Sequence, residues 1–506
     1  MAVLAPERAD PGPREPEAPR RSYRWPLPRP QRDRTPPLPD DARLSWLLTA
    51  ALGVLSLASR LWGIGYPSDK LFDEAYYPPE AHELLTWGFE YNRGYSFIVH
   101  PPLGKWLIAA GEQLFGYTSF GWRFPSAVAG TVAVVVLVRL GRRLTGSTLL
   151  GLLAGLLLAL DGFSFTLSRI GLLDVFLQMF VVSAVACLVV DRDTVRARVR
   201  AMDGVPTRLG PRGWRIAAGF LFGCACAVKW SGVWFLVFFA VLSLFWDRAA
   251  WRDAGVSRPT GTALRRGLPG AAWALGAVPV LTYLASFTGW FLGETSQGKA
   301  WAQQHPDSTF GFVPDALRSL WHEHAQWLTF HNNLSTPHPW ESGPWSWLVD
   351  GRPILLWNPQ GLTAPSGGQI VRYILMVGTP ALWFAFVPAL LWLLWRVVAR
   401  RDPAAITVAV GIAAGWATWF INLERTMFIF YMAPALPFFV LAVTLALQDA
   451  IGRPGADPFR RQVGLAAVCL YVALVAATFA FFYPVLTGEP LSHAEWLQRM
   501  WFPSWF

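Results

Sequence analysis

Long apolar runs alternate with short polar connections over most of the 506-residue chain. An apolar run of roughly 20 residues is long enough to cross a bilayer as a helix. The pattern predicts eleven such spans, at about 44–64, 122–141, 147–165, 171–190, 214–229, 231–247, 271–291, 370–398, 404–421, 427–448 and 463–483. The chain is therefore predicted to be an all-α polytopic membrane protein, and its low charged fraction of 15% agrees with that class.

Three polar segments are longer than the other connections. Residues 65–121 contain two amphipathic stretches, 74–90 and 103–116, which predict helices lying in the membrane surface. A second long segment covers about 292–369. Residues 1–42 are rich in Pro and Arg, lack a periodic apolar pattern, and predict a disordered tail. No apolar stretch typical of a signal peptide follows a short basic start, so the first span is expected to act as an uncleaved anchor.

Basic residues divide the connections into two groups. Lys and Arg favour the cytoplasmic side when they lie in short loops beside membrane spans. Most of the 43 Lys and Arg residues fall in connections that share one side if the N-terminus is inside. This predicts an N-in, C-out topology with both long segments and the C-terminus outside the cytoplasm, and a cytoplasmic tail. The same topology explains the net charge of +10, so no nucleic-acid partner is expected.

An acidic pair, Asp73 and Glu74, follows the first span in the stretch "KLFDEAYY". One interpretation is a solvated loop pair that supplies the first-turn charge of a helix starting near Ala75. The other is catalytic, because a carboxylate at the bilayer surface can take a proton from an attacking hydroxyl. The residues alone leave both interpretations open.

Three cations lie at predicted outer ends of spans: Arg60 in "SRLW", Arg123 in "GWRFPSA" and Lys229 in "AVKWSG". Long cationic side chains there can extend toward lipid headgroups. They can equally bind the phosphate of a lipid, a task for which the planar guanidinium of Arg is well shaped.

Other candidate polar residues lie on the same predicted side. The stretch "DGFSFTLSRIGLLD" holds Asp161, Arg169 and Asp174, for which structural pairing is favoured over catalysis. In the second long segment, His331 and His338 are candidates either for orienting a sugar or peptide or for stabilising the loop. The zinc pattern HExxH is absent, so no metal site is predicted. The chain also lacks Walker, GxGxxG, GxSxG and DxD motifs, which leaves a membrane-borne donor as the natural substrate.

Several motifs occur in one order: "FDEAYY", "HPPLGKWLIAAGEQLFG", "GWRFPSA", "LDGFSFTLSRIGLLD", "VKWSG" and "FHNNLSTPHPWESGPWSWL". Together they resemble the protein O-mannosyltransferases of the GT-C glycosyltransferase class, over about residues 44–483. The resemblance implies a GT-C domain over 43–506 in a bacterial plasma membrane. It implies transfer of mannose from polyprenyl phosphate to Ser or Thr of a translocated protein, with inversion at the sugar. The eukaryotic MIR domain is not expected, because 292–369 is too short for it.

The resemblance also implies roles for residues. Asp73 matches the proposed general base and Glu74 the neighbour that organises the site. Arg60 and Arg123 match positions near the carrier phosphate, and Lys229 is a third candidate there. His100 and Lys105 in "HPPLGK" are expected to support the substrate or the structure.

No metal is required by this scheme, although a divalent ion near the acidic pair and the phosphate is left open. The Sec translocon is a candidate partner, together with membrane lipid, because the acceptor emerges across the membrane.

Two other functions were weighed against this one. Another GT-C enzyme would move a sugar from polyprenyl phosphate to a lipid or glycan, but the "HPPLGK" and "PWSW" stretches favour a protein acceptor. A transporter usually carries its charges near the midplane in related halves. Here no internal repeat is evident and the charges cluster near one face, which disfavours that function.

Overall fold

The apolar runs form helices of two lengths. The structure is a computed structural model. It describes residues 37–91, 98–201, 208–306, 310–363, 369–452 and 455–506. Within those ranges, seven helices are long and apolar enough to cross a membrane: Ala42–Leu61, Ser119–Thr145, Asp174–Arg200, Gly232–Asp253, Pro259–Ser286, Pro380–Arg400 and Pro458–Thr487. The shorter apolar helices there are Thr148–Ala159, Gly213–Val228, Pro403–Gly415 and Leu436–Ile451. The predicted tail lies almost entirely outside the described residues.

Each predicted span overlaps one of these helices, but several boundaries differ. The helix predicted to begin at 271 begins at Pro259, and the one predicted to end at 190 ends at Arg200. Two other spans begin with chain that is not part of their helix. The span predicted at 370–398 begins as extended chain, and its helix starts only at Pro380. The span predicted at 427–448 begins with the 3-10 turn Ile429–Met432, and its helix starts at Leu436. Residues 374–377 and most of 427–435 are apolar and buried, and apolarity alone does not separate a short buried strand or turn from a helix.

Four short strands correct the all-α prediction. Strand β1 (Ile354–Trp357) pairs antiparallel with β3 (Ile374–Met376), and β2 (Ile370–Val371) pairs antiparallel with β4 (Leu491–Ser492). The second of these pairs joins the C-terminal segment to the second long polar segment.

Both amphipathic stretches of the first long segment are helical, as predicted. They form the helices Tyr77–Trp87 and Leu103–Phe115, and the second long segment contributes the 19-residue helix Asp315–Asn333. Shorter helical pieces are Phe72–Ala75, Gly162–Leu167, Thr288–Leu292, Trp301–Gln304, Pro344–Trp347, Ala417–Ile421, His493–Leu497 and Pro503–Trp505.

The polar segments gather at one end of the helix bundle. Trp357 of the second long segment donates to Asp69 of the first (2.9 Å). The indole of Trp505, at the C-terminus, donates to the carbonyl of Asp350 (2.8 Å). Basic connections meet at the other end, through the ion pairs Arg142–Asp41, Arg143–Asp193, Arg212–Asp191 and Arg215–Asp247. The bundle thus has a loop-covered end and a basic end.

Candidate active site

The acidic pair lies in a 3-10 turn, Phe72–Ala75, that precedes the helix Tyr77–Trp87. Phe72 has a positive φ of 49°, a conformation that bulky residues rarely adopt. Its ring packs edge-on against Phe428 and Phe430, with centroids 5.8 and 5.9 Å away. Contacts from a distant part of the chain therefore hold this turn in shape.

Glu74 is completely buried and paired with Arg123. Arg123 donates from Nε to Oε1 (2.8 Å) and from Nη2 to Oε2 (2.7 Å), which is a bidentate ion pair. The backbone N–H groups of Leu71 and Gly171 donate to the same carboxylate, at 2.8 and 2.7 Å. Glu74 therefore ties the turn to two other parts of the fold and has no free oxygen facing outward.

Arg123 is also completely buried and fully hydrogen-bonded. Its remaining N–H groups donate to the backbone carbonyls of Ile64, Pro67 and Asp69, at 3.2, 2.6 and 2.7 Å. With the two bonds to Glu74, each of its five N–H groups has an acceptor. This geometry favours a structural role for Arg123 over the predicted contact with a donor phosphate.

Asp73 has a different environment from its neighbour. It is half-buried, and the hydroxyl of Tyr77 donates to its Oδ2 at 3.3 Å. The pKa of Asp73 is raised to about 6: burial raises it most, the charge of Lys229 lowers it, and nearby Asp174 raises it. A carboxylate with such a pKa is ionised at neutral pH and still basic enough to accept a proton in a transition state.

Lys229 and Asp174 form an ion pair beside Asp73, with Nζ and Oδ2 2.7 Å apart. The Lys229 ammonium also lies over the rings of Phe430 and Tyr431, at 5.2 and 5.6 Å from their centroids. Asp174 is therefore paired, but with Lys229 and not with an arginine, as the predicted Arg–Asp pairing would require. Lys229 is thus near the Asp73 carboxylate, with its own charge partly balanced by Asp174.

Two neutral histidines, His100 and His331, also belong to the candidate active site. The rings of His100 and His331 stack with centroids 5.2 Å apart. His331 Nε2 donates to the Val99 carbonyl (2.9 Å), which assigns the proton to Nε2 and leaves Nδ1 as an acceptor. Burial lowers the pKa of His331 to about 4 and that of His100 well below its ordinary value. Both imidazoles are therefore uncharged at neutral pH.

Arg425 is a site residue that the sequence analysis missed. Its Nη2 donates to Nδ1 of His331 (3.3 Å) and to the hydroxyl of Tyr431 (3.4 Å), and its side chain is partly exposed. The signal available was topological, because "INLERTMF" connects two predicted spans on the outer side, where short loops seldom carry Arg.

The remaining predicted residues support the fold around the site. Lys105 is buried and binds Glu80 (2.9 Å), Glu90 and the carbonyl of His100 (3.2 Å), so it fixes the His100 backbone and joins two surface helices. His338 packs against the rings of Phe72 and Phe428, with centroids 5.9 and 5.1 Å away.

Arg60, Asp161 and Arg169 lie in a neighbouring cluster. Asp161 caps the helix Gly162–Leu167 through the N–H of Ser164 (2.8 Å) and accepts from the indole of Trp383 (2.7 Å). Arg169 donates to the carbonyl of Arg60 (2.8 Å).

Arg60 itself is completely buried and donates to the Ser56 hydroxyl (2.6 Å). The contacts of Asp161 and Arg169 favour structural roles over direct binding of substrate, whereas Nε and Nη2 of Arg60 are buried without a hydrogen-bond partner. Among the described residues, no group of three or more His, Cys, Asp or Glu side chains is placed to hold a metal ion.

The whole fold resembles a solved membrane glycosyltransferase. The structure of the Saccharomyces cerevisiae protein O-mannosyltransferase Pmt1-Pmt2 complex bound to the sugar donor aligns with a TM-score of 0.73 at 16% identity. The alignment covers 92% of this chain and 93% of that one. The fold is therefore that of a GT-C glycosyltransferase, a class of multi-pass membrane enzymes.

Sequence comparison identifies the family within that class. The model of dolichyl-phosphate-mannose-protein mannosyltransferases matches residues 50–291, and that of the C-terminal four TMM region of protein-O-mannosyltransferase matches 316–505. The polyprenol-phosphate-mannose–protein mannosyltransferase of Mycolicibacterium smegmatis is 45% identical, with 92% of this chain and 94% of that protein covered. The Corynebacterium glutamicum protein of the same name is 35% identical, with 93% and 96% covered. The chain belongs to the protein mannosyltransferase family.

Proposed function

We propose that this enzyme transfers mannose from polyprenyl-phosphate-mannose to Ser or Thr hydroxyls of translocated proteins, with inversion at the sugar. The observation that carries the proposal is the environment of Asp73. It is a half-buried carboxylate of raised pKa that is close to the cation Lys229 and accepts from Tyr77, whose ring is 6.1 Å from that of the neutral His100. Arg425 contacts the neighbouring residues His331 and Tyr431. Family membership supplies the substrate class, since the relatives are named for this donor and for protein acceptors.

In the proposed reaction, Asp73 takes the proton of the acceptor hydroxyl while the hydroxyl oxygen attacks C1 of mannose. The bond between C1 and the phosphate oxygen breaks in the same step, and polyprenyl phosphate leaves with the bonding electrons. Lys229 and Arg425 stabilise the charge that develops on that phosphate, which fixed cations do well in a poorly hydrated site. Glu74 and Arg123 contribute indirectly, by fixing the turn that carries Asp73.

In the proposed topology, the chain crosses the plasma membrane of a bacterium eleven times. The N-terminus and its tail lie in the cytoplasm, and the site lies on the extracytoplasmic face of the membrane. Two observations support this topology. The two long segments and the C-terminus meet at the end of the helix bundle that holds Asp73, and the basic connections meet at the opposite end of the bundle. We also propose that the chain lacks a MIR domain, because 292–369 is too short for one.

The proposal extends to partners. A donor anchored by its lipid tail is confined to the membrane plane, which lowers the entropic cost of reaching the site. The acceptor is a protein emerging across the membrane, with the Sec translocon as the proposed source. We propose that no resident metal is needed, because Lys229 and Arg425 already supply positive charge where the phosphate leaves.

A direct transfer assay tests this function. The purified full-length protein, reconstituted in liposomes, is given labelled polyprenyl-phosphate-mannose and a Ser/Thr-rich peptide. We expect label on the peptide, and equal transfer after addition of EDTA. Label found only on lipid would instead identify a transferase with a lipid acceptor. Sugar flux without transfer would identify a transporter.

The role of Arg425 gives a separate prediction. Replacing one preorganised hydrogen-bond donor at a developing charge typically costs 10²- to 10³-fold in rate. We therefore expect Arg425→Ala to lower kcat/KM for the donor by roughly that factor, with Arg425→Lys recovering part of it. The KM for the peptide should change little.

The matched control is Arg372→Ala, which removes a partly exposed Arg that lies over the ring of Tyr66 and donates to its hydroxyl, on the same face. This control should leave donor use unchanged. Normal donor kinetics in Arg425→Ala, with normal thermal stability, would exclude Arg425 from the phosphate site.

A further inference from the structure

Tyr77 begins the helix that follows the turn Phe72–Ala75, and its side chain reaches back to Asp73. The side chain is buried, with 7% of its surface exposed, and its hydroxyl donates to Oδ2 of Asp73 (3.3 Å). Within the described residues, no other hydrogen bond reaches this carboxylate, and none reaches its Oδ1. The two oxygens of the proposed base therefore differ, because Oδ2 is held and Oδ1 is left to accept a proton.

The position of the Tyr77 hydroxyl is fixed by the backbone and by packing. Pro78 and Pro79 follow in the first turn of the helix, and proline holds φ near about −65°, so the backbone there has little freedom. The ring of Tyr77 belongs to the main apolar core, and its centroid lies 6.1 Å from that of His100. A buried ring on a restrained backbone can hold one carboxylate oxygen in a fixed direction.

The Tyr77 hydroxyl keeps its proton at neutral pH. Burial raises the pKa of Tyr77 well above its ordinary value, and the carboxylates of Asp73, Asp174 and Glu80 raise it further. A protonated phenol beside an ionised carboxylate is a hydrogen-bond donor. Tyr77 therefore does not act as a base itself, and its contribution to the site is the hydrogen bond to Asp73.

Several groups act on Asp73 at once, from different elements of the fold. Burial raises its pKa most, and the groups that follow in order of size are Lys229, Asp174, Tyr77 and Glu80. Lys229 and the hydrogen bond from Tyr77 lower the pKa, whereas the two carboxylates raise it. Tyr431 faces the same charges. Because Tyr77 lowers the pKa without carrying a charge, removal of its hydroxyl tests the hydrogen bond and leaves the surrounding charges in place.

We propose that Tyr77 is a positioning residue for the transfer reaction: its hydroxyl holds Oδ2 of Asp73, and Oδ1 is the atom that takes the proton of the acceptor hydroxyl. The proposal rests on the proposed role of Asp73 as the base. In this step the acceptor O–H bond breaks, its proton goes to Oδ1, and the acceptor oxygen forms the bond to C1 of mannose as polyprenyl phosphate leaves. A carboxylate free to rotate would lose part of this alignment.

The variant Tyr77→Phe removes the hydroxyl and keeps the ring. Its loss should raise the pKa of Asp73, because a hydrogen bond to an ionised carboxylate favours the ionised form. The acidic limb of kcat/KM should therefore move upward by about one pH unit, from about 6 to about 7. On the alkaline plateau kcat should remain about fivefold below that of the wild type, because the carboxylate is less well oriented. The KM for the donor should change little.

Tyr117→Phe is the matched control. Tyr117 lies in the same long segment, is 42% exposed, and its hydroxyl accepts from Lys70 (2.9 Å). This variant loses the same atom and should keep the wild-type limb and rate. Thermal unfolding of both variants checks that the fold is intact.

An infrared difference titration of the purified protein, with Asp73→Asn as the reference, measures protonation of Asp73 without catalysis. Its midpoint should move upward in Tyr77→Phe by the same amount as the acidic limb. A limb and an infrared midpoint that both stay near 6 in Tyr77→Phe would overturn the proposal. A shifted midpoint with a wild-type plateau rate would also overturn it, because Tyr77 would then set the basicity of Asp73 without orienting it.

Failure of the proposed function would look different. Asp73→Asn would then keep near-normal transfer, whatever the result for Tyr77→Phe, and the positioning role would fall with it. If Asp73→Asn abolishes transfer and Tyr77→Phe behaves as the wild type, the proposed function stands and only the role of Tyr77 is rejected.

Discussion

Asp73→Asn should lower mannose transfer by about two to four orders of magnitude, the usual contribution of a positioned general base. The variant keeps the shape of the side chain and an oxygen that accepts from Tyr77. It removes the capacity to take a proton from the acceptor hydroxyl. Initial rates with saturating donor and peptide would measure the loss, and thermal unfolding should be unchanged.

Asp69→Asn is the matched control. Asp69 lies four residues earlier in the same segment, is exposed, and accepts from the indole of Trp357, which an amide oxygen can still do. Transfer by this control should be near normal. Near-normal turnover in Asp73→Asn would reject the assignment of Asp73 as the base.

The pH profile provides an independent readout of the same residue. Asp73 must be deprotonated to act, and burial raises its pKa to about 6. The kcat/KM of the wild-type enzyme should therefore be constant above that pH and fall as pH decreases through about 6. This acidic limb should disappear from the residual activity of Asp73→Asn. A limb that persists there belongs to another group.

The second large effect is expected from the pair of Glu74 and Arg123. Arg123→Ala leaves a buried carboxylate without its partner, and breaking a buried ion pair in this way costs about 3–5 kcal/mol. The variant should unfold at a lower temperature and lose transfer even with excess donor, because the turn carrying Asp73 is no longer held. Thermal unfolding and donor titration of the same preparation would show both effects.

A double-mutant cycle separates this structural role from phosphate binding. The double variant Glu74→Gln/Arg123→Met removes both charges. Its loss of unfolding free energy should be smaller than the sum of the losses in the single variants Glu74→Gln and Arg123→Met, since the two side chains are in direct contact. Arg425→Ala should show the opposite behaviour, with normal unfolding and poor donor use. If Arg123→Ala instead unfolds normally and only donor binding weakens, Arg123 contacts the phosphate.

Asp73 and Glu74 show what the sequence could predict about the site. Both are acidic, adjacent and near a predicted span, so the sequence identifies the pair as candidate site residues. It does not assign a different role to each of the two carboxylates. The division depends on Arg123, 49 residues after Glu74, and on Gly171, 97 residues after it. Those contacts form only when distant segments pack together. Arg425 was missed for the same reason, because its partner His331 lies 94 residues earlier in the chain.

The apolar pattern by itself determined the helical bundle, because a chain in a bilayer must satisfy its backbone hydrogen bonds within each helix. It also predicted the amphipathic helices Tyr77–Trp87 and Leu103–Phe115, through their spacing. Only the tertiary structure decided that 370–376 is extended chain paired in small sheets, since strand partners come from elsewhere in the sequence. The tertiary structure likewise decided that Glu74 is buried in an ion pair whereas the carboxylate of Asp73 remains partly accessible, because burial and pairing depend on the whole fold.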